Sequence, residues 1–256
     1  MIDISSNQTI SGIKTFTNGL VIGQAQFNVI NQTSTENTVG ERAISSTSTW
    51  AQTGGDFDGD TTNSYTGRSV SVSSDGTIVA IGSSAISGFG YVKVYIRDVN
   101  KTAANSNGPI GWNQIGQKII SSISAGGFAE SIALSSDGSI LAFGHALGGG
   151  NEGRVYVYYY NAGSNTWIQR GDTIIGEGGN NYSGRSVKLS ADGNIIAIDA
   201  YGNSDGAANR GNVRVYQYDA NKTVANTNQS TSTFGPVGWN RLGHDIDGDP
   251  GSWSGY

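Results

Sequence analysis

The chain has 256 residues, of which 39 are glycine, 14% are charged and none is cysteine, and its formal net charge is −5. This composition favours many tight turns between short strands and leaves little material for long amphipathic helices. It excludes disulfides and thiol catalysis, and the singly scattered Lys and Arg residues argue against binding to nucleic acid or to an anionic membrane.

The N-terminal segment, residues 1–45, is predicted to be a separate β-rich region. Its first residues, Met1–Ser6, have neither a basic region nor an apolar core, so they do not form a secretory signal peptide. Asn7–Gly23, with the sequence NQTISGIKTFTNGLVIG, resembles the short β-rich repeats of phage and giant-virus tail or fibre proteins. The resemblance implies an assembly or anchoring segment, and we expect any homo-oligomer to form through it.

A Trp-x-Gln/Arg-x-Gly motif recurs four times in residues 46–256, beginning at Trp50, Trp112, Trp167 and Trp239. The spacings between successive tryptophans are 62, 55 and 72 residues. A unit of this length holds four short strands, as one blade of a β-propeller does, rather than a single hairpin. Because the tryptophan returns at one position of the repeat, we expect it to pack between blades rather than to stack on a sugar.

The first predicted strand and turn of a unit are clear in residues 69–76. Ser69–Ser73 alternates with period two, which predicts a strand with Val70 and Val72 on its buried face. Asp75-Gly76 follows, a pair preferred in tight turns because glycine tolerates positive φ and aspartate bonds to its own turn.

Three further strands complete the unit. Thr77–Ile81 is continuously apolar, as a strand covered on both sides is, and Tyr91–Arg97 alternates again. The Trp112 segment closes the unit as an outer strand, and the next two units repeat this pattern. The sequence therefore predicts an all-β chain with three four-stranded antiparallel blades of an incomplete propeller. All apolar runs are strand-length, so no membrane insertion is expected.

The fourth unit stops at Trp253–Tyr256, where the next Gly-Arg-Ser-Val strand is expected. Three blades are too few to close a ring, since closed propellers have about four to eight. The sequence favours a fragment of a longer propeller that is truncated in its fourth repeat. Completion of the ring by self-association, which would bury the open edges, is the alternative.

Several short motifs recur together in each unit. They are Trp-x-Gln-x-Gly, Asp-x-Asp-Gly, Ser/Thr-Gly-Arg-Ser-Val, Asp-Gly-x-Ile and Gly-x-Val-Lys/Arg-Val-Tyr. Over about residues 48–256 the unit resembles the FG-GAP repeats, which are best known from the propeller head of integrin α subunits. The resemblance implies a β-propeller used for adhesion or ligand display rather than for a reaction.

Two loops place carboxylates around a glycine. They are formed by Asp56, Asp58 and Asp60 and by Asp245, Asp247 and Asp249. Converging carboxylate oxygens are ligands that calcium prefers, and the loops resemble the cation loops of FG-GAP repeats. They depart from that pattern because the third carboxylate directly follows the glycine and because units two and three keep no such cluster. The sequence favours turn formation, with calcium as the alternative, and no other cofactor is expected.

In the alignment of the repeat units, two acidic residues replace glycines. The alignment of units places Glu130 at the position of Gly67 and Gly184, and Asp199 at that of Gly82 and Gly144. A pair of carboxyl groups can catalyse glycoside hydrolysis. Duplicated units also drift, however, and the two residues lie in different predicted blades.

The sequence as a whole predicts a non-catalytic attachment or adhesion module on an extracellular or virion surface. Its propeller loops would be presented to a cell-surface protein or glycan, and the chain is not expected to be an enzyme. A structural spacer of a fibre or surface protein is the first alternative. A glycan-processing enzyme that uses Glu130 and Asp199 is the second.

Overall fold

The computed structural model describes residues 51–84, 89–123, 126–204, 210–249, 251, 252 and 254. The chain divides into two compact units, Met1–Ala51 and Gln52–Tyr256. The predicted N-terminal segment 1–45 and Trp50 lie outside the described residues. The sheets below all belong to the second unit.

Three antiparallel sheets of five strands each follow one another along the chain. Sheet 1 contains β1 (Thr66–Val72), β2 (Ile78–Ser83), β3 (Tyr91–Arg97), β4 (Trp112–Gln114) and β5 (Ile119–Ile120). Sheet 2 contains β6 (Phe128–Leu134), β7 (Ile140–His145), β8 (Arg154–Asn161), β9 (Thr166–Gln169) and β10 (Ile174–Ile175). Sheet 3 contains β11 (Val187–Leu189), β12 (Ile195–Ala200), β13 (Asn212–Tyr218), β14 (Trp239–Arg241) and β15 (Ile246–Asp247).

Helix is nearly absent from the described part of the chain, as the composition predicts. The single helical turn there, Gly148–Asn151, contains two glycines with positive φ, so it is not a regular α-helix. No helix among the described residues is long and apolar enough to cross a membrane.

In each sheet four strands pair in chain order, and a fifth strand of two residues pairs with the third. The predicted unit of four antiparallel strands is therefore present. The fifth strand was not predicted, because a two-residue run such as Ile119–Ile120 is too short to show a period.

The turn between the first two strands has the same structure in every sheet. In sheet 1 the Ser73 hydroxyl donates to Asp75 Oδ1 at 2.6 Å, and the Thr77 backbone N–H donates to the same oxygen at 2.9 Å. These hydrogen bonds lower the pKa of Asp75 to about 2. Equivalent bonds form at Asp137 and Asp192. The predicted Asp-Gly turns are confirmed.

The sheets pack face to face, with sheet 2 between the other two. Alternate residues of β7 face opposite neighbours: Leu141 and Phe143 pack with residues of sheet 1, and Ala142 packs with residues of sheet 3. All three side chains are fully buried. Burying a large apolar side chain contributes about 1.5–3 kcal/mol, so a strand covered on both sides contributes to two interfaces at once.

The outer face of sheet 1 differs from the prediction. Val70 and Val72, predicted to be buried, are 60% and 53% exposed. The other face of β1 contacts sheet 2, where Ser71 Oγ accepts a hydrogen bond from the Leu134 backbone at 3.0 Å. Ile132, which stands in β6 where Val70 stands in β1, is only 6% exposed. The alternation was predicted correctly, but the buried side of a strand depends on which neighbouring sheet covers it.

A tryptophan links each sheet to the segment that ends the preceding repeat. The indole N–H groups of Trp112, Trp167 and Trp239 donate to the carbonyls of Thr53, Ile115 and Arg170 at 3.0, 3.0 and 3.2 Å. The three tryptophans are 6%, 2% and 0% exposed. The prediction that they pack between units is therefore confirmed.

Each accepting carbonyl is followed by a glycine, and the indole lies against it. Gly54, Gly116 and Gly171 have φ of 84°, 67° and 74°, a region that favours glycine. A Cβ added at any of them would come within 3 Å of the indole, closer than real Cβ contacts. We call this arrangement, an indole bonded to the carbonyl before a glycine and packed on that glycine, the Trp–Gly contact.

We expect Gly116→Ala to lower the free energy of unfolding by about 2–5 kcal/mol, as the sum of a positive-φ cost and of overpacking. The added methyl group would lie 2.9 Å from Nε1 of Trp167 and closer still to Cδ1. Urea denaturation measures the change. Gly76→Ala is the matched control, because Gly76 has a φ of 72° and open space around its Cα. Equal losses in the two variants would show that the indole contributes nothing.

Candidate functional site

The structure changes the position of Glu130 within the repeat. The strands β1 and β6 carry the same bulge and pair equivalently with their second strands. In this register Glu130 stands where the other units have Arg68 and Arg185. Ala129, with a φ of 52°, takes the place of Gly67. The sequence-based placement of Glu130 at a glycine position is therefore wrong by one residue, because an alanine adopts the conformation of the glycine.

Charged and aromatic side chains converge at this position of the repeat. Arg68 Nη2 lies 3.1 Å from Glu130 Oε1, and the two side chains are 52% and 14% exposed. The Arg185 guanidinium lies 5.2 Å from the ring centre of Tyr201, and that ring stacks on Tyr182 at 5.1 Å. Arg68 in β1, Glu130 in β6 and Arg185 just before β11 therefore form an Arg–Glu–Arg series at one repeat position, with two stacked tyrosines at its third member.

Tyr201 interacts electrostatically with both Glu130 and Arg185. Burial raises the pKa of Tyr201, the charge and hydrogen bond of Arg185 oppose the rise, and the negative charge of Glu130 adds to it. Glu130 and Arg185 thus act on the same phenol.

Asp199 lies in the last part of β12, within reach of the charge of Arg185. It stands at the position of Gly82 and Gly144, as the sequence alignment predicted, and it is only 4% exposed. Its Oδ1 accepts a hydrogen bond from the Ser186 backbone at 2.6 Å. Its Oδ2 is buried without a hydrogen-bond partner. One oxygen of this carboxyl group is therefore held by a hydrogen bond, and the other is buried without one.

Burial has a large effect on this carboxyl group. Desolvation raises the pKa of Asp199 to about 7, although backbone hydrogen bonds and the charge of Arg185 oppose the rise in part. A carboxyl group with this pKa can give or take a proton near neutral pH, which is what general acid–base catalysis requires. We call Arg68, Glu130, Arg185, Asp199 and Tyr201 the charged cluster.

The first predicted calcium loop lies elsewhere. Asp60 accepts hydrogen bonds from Lys93 and, at 2.8 Å, from Lys118. Partial burial raises the pKa of Asp60, but the two lysines outweigh this effect and lower it overall. Asp56 accepts from the Gln52 side chain at 2.8 Å and, with Asp58, lines a cavity of about 450 Å³.

The second predicted calcium loop also contains ion pairs. Asp245 lies 2.8 Å from Arg241, Asp247 lies 3.9 Å from Arg210, and Asp249 is exposed. Among the described residues no three acidic, histidine or cysteine side chains converge as a metal site requires. Calcium binding by these six aspartates stays a prediction.

Sequence reasoning did not select Arg68, Arg185 and Tyr201 as site residues. Both arginines belong to the repeated Gly-Arg-Ser-Val motif, so they looked like ordinary members of the repeat. The available signal was the change from arginine to glutamate at one repeat position. That signal was hidden by the one-residue error at Glu130.

Comparisons with known proteins give little further information. No protein-family model and no curated protein matches the chain. A solved structure named as a putative 6-phosphogluconolactonase from Bacteroides uniformis ATCC 8492 aligns with 18% identity and a TM-score of 0.43. The alignment covers 70% of this chain and 40% of that one, so the chain spans less than half of that protein. A likeness this distant carries no argument about reaction or substrate.

One prediction from the sequence is corrected. The chain was predicted to be a non-catalytic attachment module and not an enzyme, whereas the protein found is named as an enzyme. The sequence marked Asp199 as a departure from the repeat, but it did not show that this carboxyl group is buried, has one unpartnered oxygen and has a pKa raised to about 7. We therefore correct the prediction of a non-catalytic protein.

The raised pKa of Asp199 predicts how stability depends on pH. Its pKa is about 7 in the folded chain and near 3.8 in the unfolded chain, so the folded state binds the extra proton between these values. This contribution to stability is complete below about pH 3.8 and is lost as the pH rises through about 7. Asp199→Asn should remove this decrease in the free energy of unfolding, which is on the order of 4 kcal/mol. Urea unfolding over this pH range measures it.

Asp192→Asn is the control, because the pKa of Asp192 is shifted in the opposite direction to that of Asp199. Hydrogen bonds from Ser190 and from the Asn194 backbone lower the pKa of Asp192 to about 2. Its contribution is therefore present above pH 3.8 and is lost as the pH falls through about 2. A wild-type chain with the same stability at pH 4 and pH 8 would contradict the raised pKa of Asp199.

Proposed function

We propose that the chain is a carbohydrate-processing enzyme that hydrolyses glycosidic bonds at the charged cluster. The observation that carries the proposal is Asp199, which is 4% exposed, has one unpartnered carboxyl oxygen and has a pKa raised to about 7. Strongly perturbed carboxyl groups beside a specific charged partner are concentrated at catalytic sites.

Hydrolysis of a glycoside uses two carboxyl groups in different states. One must be protonated to donate to the leaving oxygen, and the other must be ionised. Asp199 is a suited donor, because burial holds a large fraction of it protonated at neutral pH. Glu130 is a suited carboxylate, because it forms an ion pair with Arg68 at 3.1 Å. The different surroundings of the two groups support different roles.

The tyrosines support a sugar as the substrate. Tyr182 and Tyr201 stack with ring centres 5.1 Å apart, and Arg185 lies over Tyr201. Aromatic rings combine an apolar face with a polar edge, which suits the mixed apolar and hydroxyl surface of a sugar ring. Tyr201 directly follows β12, two residues after Asp199.

We also propose that the three sheets are blades of a β-propeller with FG-GAP-like repeats. The support is the shared strand order of the sheets, their face-to-face packing and the recurring Trp–Gly contact. In this architecture β1, β6 and β11 would be the innermost strands, and the charged cluster would lie near the central axis. A location on an extracellular or virion surface stays a prediction.

The proposal is tested with a panel of chromogenic glycosides of neutral and acidic sugars. For any glycoside that is turned over, Asp199→Asn and Glu130→Gln should each lower kcat/KM by about 100-fold or more, the usual effect of losing a general acid or base. In the wild type, activity should fall above pH 7 as Asp199 ionises.

Glu152→Gln is the matched control, because Glu152 also pairs with an arginine, Arg154, at 3.3 Å but lies outside the charged cluster. It should keep wild-type activity. The proposal fails if no glycoside of the panel is hydrolysed, or if Asp199→Asn and Glu130→Gln are as active as Glu152→Gln while circular dichroism shows all three folded.

A further inference from the structure

The last copy of the tryptophan motif supplies a glycine that no indole covers in the described structure. Gly243 has a φ of 73°, matching 67° at Gly116 and 74° at Gly171. An added Cβ would meet nothing within 4 Å at Gly243, whereas at Gly116 and Gly171 it would meet an indole within 3 Å. The receiving half of a Trp–Gly contact is therefore formed here, and no side chain among the described residues occupies it.

The apolar residues around Gly243 are open in the same way. Ile246 is 61% exposed, while its equivalents Ile119 and Ile174 are 7% and 1% exposed. Leu242, whose carbonyl corresponds to the indole acceptors, is 39% exposed, and its equivalent Ile115 is 9% exposed. Isoleucine recurs at the position of Ile246, so its different exposure depends on what covers this position in each repeat.

The internal contacts define what fits this surface. In each of them a tryptophan of an outer strand lays its indole on the glycine and donates its N–H to the preceding carbonyl, as Trp167 does to Ile115 at 3.0 Å. The occupant of Leu242–Ile246 should therefore be a tryptophan in a Trp-x-Gln-x-Gly segment. Such a segment would cover Gly243 and bury Ile246.

We propose that Leu242–Ile246 is a docking surface for the Trp50 segment of a second copy of this chain. Four copies of the motif occur, and the three successive pairings of a glycine with the next tryptophan are all made within one chain. Trp50 is not a donor in any of these three contacts, and Gly243 is not a receiver in any of them. Pairing these two between molecules repeats an interface that the chain already contains three times.

Asp199 limits how closely a docked copy can approach. At Gly82, an added Cβ would lie 2.7 Å from the carbonyl of Ala129 in the next sheet, and at Gly144 the clash with Gly184 would be worse. A sheet packed on sheet 3 in the same way would collide with the side chain of Asp199. Docking is therefore confined to the outer part of sheet 3, away from Asp199.

An interface of this kind is heterologous, because the surface of one copy meets a different surface of the next. Such contacts build closed rings or open filaments, and each copy keeps one donor and one acceptor. Two variants with opposite defects should therefore complement each other. A symmetric interface would not show this behaviour.

Sedimentation velocity of the full chain at increasing concentration is the test. We expect the wild type to associate with concentration, and Ile246→Lys and Trp50→Ala to lose this association while remaining folded by circular dichroism. Val224→Lys is the matched control, because Val224 is 74% exposed in the β13–β14 loop, outside the docking surface. It should associate like the wild type.

The decisive sample is a mixture of Ile246→Lys and Trp50→Ala. The first variant keeps the tryptophan and the second keeps the acceptor, so the mixture should form a dimer that neither forms alone. The inference is overturned if the wild type stays monomeric, if Ile246→Lys associates like Val224→Lys, or if the mixture contains only monomers. Glycoside hydrolysis is unaffected by any of these outcomes, since the docking surface and the charged cluster are separate.

Discussion

The Trp–Gly contact sets the spacing of the three sheets. A buried indole can donate to the carbonyl of the preceding repeat only if the next residue has no side chain and tolerates positive φ, and Gly54, Gly116 and Gly171 meet both conditions. This explains why the tryptophan and the glycine recur together in the sequence although each pairs across a boundary between repeats. The apolar faces of adjacent sheets, such as those of β7, then meet in the same manner each time.

The strands and turns were predictable because their signals are local. The Asp75-Gly76 turn depends on a hydroxyl, a carboxylate and a backbone N–H within a few residues, and period two marks the strands directly. The exposure of Val70 was not predictable, because it depends on packing between sheets. Sheet 1 covers Ile132 of sheet 2, whereas no described sheet covers the face of sheet 1 that carries Val70. Glu130 was misplaced for a related reason: the backbone of Ala129 follows the repeat although its residue type does not.

The candidate site arises where the repeat is broken. Close packing requires glycine at the positions of Gly82 and Gly144, whereas sheet 3 has Asp199 there. The substitution buries a carboxyl group whose raised pKa means a loss of stability at neutral pH. Residues that lower stability and have perturbed pKa values are typical of functional sites. Sequence identified Asp199 as a deviation, but its burial and its connection to Arg185 and Tyr201 needed the structure.

Hydrogen exchange of the indole N–H groups of Trp112, Trp167 and Trp239, followed by NMR, tests most directly whether the Trp–Gly contacts hold the sheets together. Each of these protons bonds to a backbone carbonyl of the preceding repeat. If the contacts act as one cooperative array, all three should exchange slowly, with a common free energy of opening close to that of global unfolding. Fast and unequal exchange in an otherwise folded chain would show that the sheets are held together by something else.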